Sequence, residues 1–573
     1  MKFLQLLGVI CCVSFPCLAL DREAFTFTNY DLEVRVEPDQ QRLGVRGKLT
    51  LRNDSSAPQK DVALQLSSTL DWRSIQVAGK AVQFVTHEYT SDIDHTGTLS
   101  EAIVSLPHEV SPKGTIELAV GYEGVIPLSV TRLTRIGVPE EKAKHTDWDQ
   151  ISKSFTVVRG IGYVVWYPVA MASANLSEWN SVFETLGRWK AREAEAQLNI
   201  KLTHAGESSG ELPLLVCNGK GGQRLYEQFS RAYAVATDCL YDPLGRTVPL
   251  FAIGSYSGLD RPAVNVSYLA GHKSDAENYT LGAELVVPLI TEWFGAPGQK
   301  VETIELADPG DAPFESGTLL LTPLSSTDST AYELTAVHQL THAAFFSPRL
   351  WIYEGLAHFA QALEREQQNG RQAALDFMGR RRIAIVDVEK AFAAAHTQNA
   401  ADESLINTST EEFYRSKAMD VWWMLRDMVG DSALKKALAA YHSDQDNESA
   451  YVQHLIEAQT HRDLEWFFDD WVYRDRGLPD FRVESVYPRA KVDGGYIVTI
   501  TIENLGDAGA EVPVILRMEG GDVTKRLEVR AKSKAAVRIE AASMPQEVVV
   551  NDGSVPERDV SNNVFKVPLL DAK

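Results

Sequence analysis

The 573-residue chain predicts a multidomain α+β protein: a β-rich N-terminal domain, a mainly helical middle and a C-terminal Ig-like β-sandwich. Three observations predict this. Apolar and polar residues alternate with period two from about Asn29 to Gly124. Apolar residues then recur with a period near 3.6 from about Ser274 to Asp480. Period-two runs separated by paired glycines return from about Phe481 to the end. At roughly 150 residues per domain the length accommodates three or four domains. The expected boundaries are 20–272, 273–480 and 481–573, after a leader of 1–19.

The leader is read from Lys2, the apolar run Phe3 to Val13, and the small residues Cys17 and Ala19 before a cut near Leu20. The run is short for a bilayer span, and no later stretch of about 20 apolar residues follows. The expectation is therefore an exported, periplasmic or secreted chain with no stable membrane span after removal of the signal. Two cysteines remain beyond the leader, Cys217 and Cys239. They allow one disulfide or two separate buried thiols, and the sequence leaves both open.

In the first domain, Tyr30 to Val36, Gly47 to Leu51, Ile103 to Leu106, Ile116 to Val120 and Ala196 to Leu202 read as strands. A helical passage is expected from Gly222 to Leu240, with strands resuming at Val248 to Ile253 and Ala263 to Tyr268. In the middle, helices are expected over Ala276–Phe294, Thr330–Phe346, Trp351–Asn369, Arg371–Ala395, Glu411–Val429, Ser432–Tyr441 and Asp463–Asp475. Asp311-Ala312-Pro313 leads into a short strand at Leu319–Leu321. In the last domain the strands are Tyr496–Ile502, Val512–Met518, Lys525–Val529 and Ala535–Ile539, divided by Asp493-Gly494-Gly495 and Glu519-Gly520-Gly521.

Composition excludes several classes of function. Hydrophobic residues are 44% and charged residues 23%, ordinary for a folded protein. Lys+Arg number 56 against Asp+Glu 78, a net charge of −22, so phosphate backbones and anionic membranes are repelled. Gly254-Ser255-Tyr256-Ser257-Gly258 fails the serine-hydrolase elbow, because Tyr256 stands at its centre. Gly219 to Gly222 lacks the ending of a phosphate loop.

One segment carries chemistry: Val337-His338-Gln339-Leu340-Thr341-His342-Ala343. Histidines four apart project from one helix face and can offer two neutral nitrogens to one zinc ion. Tetrahedral zinc needs a third ligand, and Glu354 in Trp351-Ile352-Tyr353-Glu354-Gly355-Leu356-Ala357 is the candidate. Ser347-Pro348-Arg349 breaks the helix, so a second helix can return Glu354 to the pair. A histidine pair alone also occurs on ordinary helices with two polar contacts.

These residues resemble the alanyl aminopeptidase family of gluzincin zinc metallopeptidases. That family has His-Glu-x-x-His, then about 18 residues, then Glu-Gly opening a helix. Trp351 to Phe359 is similar to the last element. Tyr30 to Asn53, Trp293-Phe294-Gly295 with Val301 to Ala307, and Asp463 to Trp471 through Gly477-Leu478-Pro479 resemble other family segments in family order. Phe314-Glu315-Ser316-Gly317 stands at the Gly-Ala-Met-Glu-Asn position, and Tyr414-Arg415-Ser416-Lys417-Ala418 resembles the catalytic tyrosine element. The resemblance covers most of Leu20 to Asp480 and implies a thermolysin-like middle domain. The family's large C-terminal helical domain is not expected here.

The resemblance implies one zinc ion on His338, His342 and Glu354, with Glu315 on the substrate's free amine and Tyr414 on the oxyanion. His358 is assigned to packing or to supporting the ligands. Two departures stand out. Eleven residues separate His342 from Glu354, and the family count would land on Gln361 instead. Gln339 occupies the general-base position, where an amide has no basic lone pair near neutral pH. The expected function is an exported zinc metallopeptidase-like protein acting on peptide N-termini with impaired catalysis. The alternative is a non-catalytic zinc-binding pseudopeptidase that binds peptides or a protein partner. A third reading is an envelope protein in which the helical core is a scaffold.

Overall fold

A computed structural model describes residues 20–568 apart from 179–180, 208–211, 222–224, 229–231, 246, 325–327, 396–403 and 409. The leader therefore lies outside the described residues. The architecture is multidomain α+β, with N-terminal sheets, a central helical region and C-terminal sheets. No helix among the described residues is long and apolar enough to cross a membrane.

The N-terminal part is built on a nine-stranded sheet. Its centre is Phe25–Glu37, paired antiparallel to Arg42–Asn53 and parallel to Gln197–Glu207. Alternation along Phe25–Glu37 sends Tyr30, Leu32, Val34 and Val36 into the core and leaves Asp31, Glu33 and Arg35 in water. A three-stranded sheet of Gln59–Ser67, Gln83–Thr90 and Thr98–Val110 joins the same apolar core.

The expected helix over Gly222–Leu240 is corrected. Within that span the described residues form strands Leu225–Gln228 and Ala232–Tyr241. Ala232–Tyr241 pairs along its full length with Gln197–Glu207, from Leu198 against Tyr241 to Glu207 against Ala232. Its end alternates as a strand should, with Cys239 and Tyr241 buried and Asp238 and Leu240 exposed. The ladder and a Cys217–Cys239 disulfide hold this segment as a strand. The residue after Cys217, Asn218, donates to Val248 O and Ser316 Oγ (each 2.8 Å) and accepts from the Tyr241 hydroxyl at 2.6 Å.

The N-terminal part also reaches the strand that carries Glu315. Arg159 is bidentate to Asp149, and its guanidinium lies 3.7 Å from the Trp148 ring centre and 3.6 Å from that of Tyr163. Tyr163 meets Phe314 edge-on at 5.4 Å. Phe314–Ser316 is an edge strand of a five-stranded sheet with Ser257–Asp260, Val264–Tyr268, Val301–Glu305 and Leu319–Thr322. Tyr256, from the failed hydrolase elbow, only anchors this sheet, donating to Glu305 O at 3.0 Å.

The helices form close to where periodicity puts them. A long helix, Lys273–Phe294, packs on the histidine helix, Ser329–Ala344, which Asp328 caps by accepting from Thr330 N. The glutamate helix, Leu350–Asn369, buries Trp351, Ile352, Leu356, Phe359 and Leu363 on one stripe. The tyrosine helix begins as a π-turn, Glu412–Lys417, and continues as Ala418–Val429. Asp431–Ala439 follows, and Tyr451–Thr460 is a further helix that the pattern did not suggest. The expected Asp463–Asp475 helix is a short turn, Glu465–Phe468, and a π-turn, Asp469–Tyr473.

The C-terminal sandwich packs Phe481–Ala490, Tyr496–Asn504 and Lys534–Ala541 against Gly521–Val529, Ala510–Met518, Pro545–Val550 and Val564–Lys566. Its core (Val498, Ile500, Val512, Val514, Ile539, Val548) is continuous with that of the glutamate and tyrosine helices. Trp471 crosses between them, donating to Gly509 O at 2.7 Å.

Gly355 sets how closely the glutamate and tyrosine helices approach. A Cβ there would lie 2.7 Å from Ala418 Cβ and 3.1 Å from the Trp422 ring, and none of these atoms ends a flexible chain. Stacking of Trp351 on Trp422 at 5.2 Å reinforces the contact. Gly355→Val must part the helices, which costs about 1–3 kcal/mol. A lowered denaturation midpoint is expected, and an unchanged one would show a looser contact than this.

Candidate metal and peptide site

His338 and His342 lie one turn apart near the end of the histidine helix, their ring centres 4.6 Å apart and their Nε2 atoms 3.1 Å apart. Glu354 stands in the first turns of the glutamate helix. The link between them is fixed by Arg349, whose guanidinium pairs with Asp446 at 2.7 Å, and by Ser347, which shares a hydrogen bond with the Tyr441 hydroxyl at 2.9 Å. Eleven residues suffice because the link joins the end of one helix to the beginning of the next. Glu354 Oε1 is 3.5 Å from His342 Nε2, and Oε2 is 3.8 Å from His338 Nε2.

Taken with the oxygen nearest each imidazole, these separations are close to those around a divalent ion. Four ligands at about 2.0–2.2 Å from zinc stand roughly 3.3–3.6 Å from one another in a tetrahedron. The imidazoles are also in the required charge state. Burial holds His338 below the ordinary histidine range, and burial with its neighbour His338 holds His342 well below it. The residues present thus fit a His, His, carboxylate zinc site.

Glu315 also comes within reach: one of its carboxylate oxygens and one nitrogen from each of His338 and His342 lie within 4.8 Å of one another. Burial, then the charge of Glu354, pushes its carboxyl up to about 8, against the pull of Gln339 and Arg415. Gln339 is buried, and its Oε1 accepts from the Tyr279 hydroxyl at 2.8 Å. Tyr414 lies on the π-turn, where burial raises its phenol to about 12 while Arg415 opposes the rise. Such turns often mark functional sites.

His358 packs against the histidine pair. Its ring centre is 4.9 Å from that of His338, and it shares a potential ligand cluster with His338 and Glu354. Its Nδ1 pairs with Gln361 Oε1 at 3.0 Å, and Gln361 donates to Leu334 O at 2.8 Å. Gln361, where the family spacing would land, therefore holds His358. Three neighbours escaped the reading of the sequence. Tyr353 has its ring 3.8 Å from that of His342, Tyr279 grips Gln339, and Arg415 donates from Nε to Glu354 Oε2 at 3.0 Å. Arg415 was in view beside Tyr414, but its partner lies on another helix.

No family model matches this chain, and no curated protein matches it in sequence. Solved structures are similar at low identity. An M1 zinc metallopeptidase from Deinococcus radiodurans is 16% identical, covering 80% of this chain and 96% of its own, with a TM-score of 0.49. Legionella pneumophila aminopeptidase A, in complex with aspartic acid, is 12% identical with a TM-score of 0.58. That match covers 93% of this chain and 59% of the Legionella chain, and it shows a shared fold.

The Tyr279 hydroxyl is the described hydrogen-bond donor to Gln339 Oε1. Tyr279→Phe leaves a buried amide oxygen unmet and lowers stability by about 1–3 kcal/mol. A double-mutant cycle with Gln339→Leu is expected to return a coupling of at least about 0.5 kcal/mol. Strict additivity in denaturation would mean that the two side chains do not interact.

Proposed function

We propose that this chain is an exported zinc-binding protein with an aminopeptidase-like groove, which takes the N-terminus of a peptide and hydrolyses it slowly. The observation that carries this reading is the convergence of His338, His342 and Glu354, with separations of 3.1, 3.5 and 3.8 Å. These three would hold the ion. Bound zinc supplies Lewis acidity to a carbonyl and lowers the pKa of water.

The remaining roles belong to the chain's own groups. Burial and the charge of Glu354 push the Glu315 carboxyl up, and nearby positive charge favours its carboxylate. An arriving ammonium stabilises the carboxylate and forms a charge-assisted hydrogen bond with it. Tyr414, with its phenol near 12, keeps its proton at neutral pH and can donate to a developing oxyanion. Gln339 can orient a water molecule but has no proton-accepting lone pair to move its proton, and loss of a general base costs about 100- to 10,000-fold in rate.

A second reading, peptide or partner binding without turnover, is favoured by the grip of Tyr279 on Gln339, which fixes an amide where a base would work. Export is supported by Lys2 with the apolar run behind it, and by the Cys217–Cys239 disulfide, since such bonds persist in oxidising compartments.

Metal analysis of the purified chain is expected to find about one zinc per molecule, lost in His342→Ala. Gln339→Glu is expected to raise turnover of aminoacyl-amide substrates by about 100-fold or more. If that variant gains nothing while calorimetry still detects peptide binding, the second reading stands. Absence of both zinc and peptide binding would sink the two together.

A further inference from the structure

We propose that Arg415 is a positioning residue that weakens the site's hold on a divalent cation by engaging the carboxylate of Glu354. The inference rests on the zinc reading above and concerns how tightly, and how reversibly, that site is filled.

The geometry divides the two oxygens of Glu354. Oε2 accepts from Arg415 Nε at 3.0 Å, and Oε1 is 3.5 Å from His342 Nε2. The guanidinium thus takes the oxygen nearer His338 and leaves the oxygen nearer His342 without that cation. Arg415, its side chain 37% exposed, is held by its partners. Its root is the π-turn Glu412–Lys417, and Lys417 at the end of that turn is buried between Glu389 and Asp475. A second carboxylate, Glu411, pairs with Arg415 through Nη1, and the Tyr414 ring centre lies 5.7 Å from the guanidinium carbon.

Two effects follow from charge. A carboxylate already sharing electron density with an N–H group is a poorer donor to a metal. A fixed unit positive charge beside a divalent ion also repels it, strongly so where water is partly excluded. Hydrogen bonds from neighbouring groups usually orient ligands and raise affinity. Here the neighbour carries a full positive charge, so repulsion opposes orientation. Glu411 moderates this by drawing part of the guanidinium charge away from Glu354.

The two partners therefore have opposite predicted effects, which a merely structural role would not produce. Zinc affinity of the full-length mature chain would be measured by competition with a chromophoric chelator, with folding checked by circular dichroism. Arg415→Met is expected to bind zinc about tenfold more tightly than the native chain, the ratio that relief of about 1.4 kcal/mol of repulsion gives. Glu411→Gln, at a side chain 62% exposed and so tolerant of change, is expected to bind it more weakly. Arg415→Met with unchanged or weaker affinity overturns the proposal. Should that variant fail to fold, Glu411→Gln decides, and unchanged or tighter binding there overturns it. His342→Ala separates the two claims: if it binds zinc as the native chain does, the metal assignment itself fails.

Discussion

Eleven residues must carry the backbone from His342 to Glu354, and the geometry of the site depends on that constraint. The chain meets it by ending one helix at Ala344 and starting the next at Leu350. The turn between them would have many conformations as a free loop. The pairing of Arg349 with Asp446 and the contact of Ser347 with Tyr441 select one. Gly355 then lets the returning helix settle against Ala418 and Trp422, so the first turns of the second helix face the end of the first. A bulkier residue beside the carboxylate would hold it away from the imidazoles.

Around that junction buried acids and an amide lie close together. Glu315 lies beside both Glu354 and an amide, Gln339, and the amide is tied down through its oxygen by Tyr279. Replacing one acid with a neutral group removes mutual repulsion between closely spaced carboxylates, which stabilises the folded site. It also removes the proton acceptor. On the proposed reading, an amide at this position makes the pocket easier to hold together and harder to use for hydrolysis.

Much of this was legible before any coordinates. The apolar stripe from Trp351 to Leu363 fixes the glutamate helix, because a period of 3.6 has no other good reading over that length. The alternation from Tyr30 to Val36 fixes a central strand in the same way. What failed was local preference without a long pattern: the alanines of Ala232–Tyr241 favour a helix, and only pairing with Gln197–Glu207 makes them a strand. Contacts between distant segments were illegible for a simpler reason. Nothing in the spacing of Arg415 names Glu354 as its partner, and nothing near Cys217 named Cys239 over a free thiol. His358 and Gln361 were both visible as residues, but which of them serves the histidine pair is decided by helix rotation.

Trp471, lodged between the tyrosine helix and Gly509, has a consequence for how the molecule comes apart. The hydrophobic interior runs without a break from Trp422 through Trp471 to Val512 and Val548. Cutting the polypeptide after Asp480 would bare the underside of the very helices that carry Glu354 and Tyr414. The final strands are thus the floor on which the glutamate and tyrosine helices are built, and losing them would destabilise both helices.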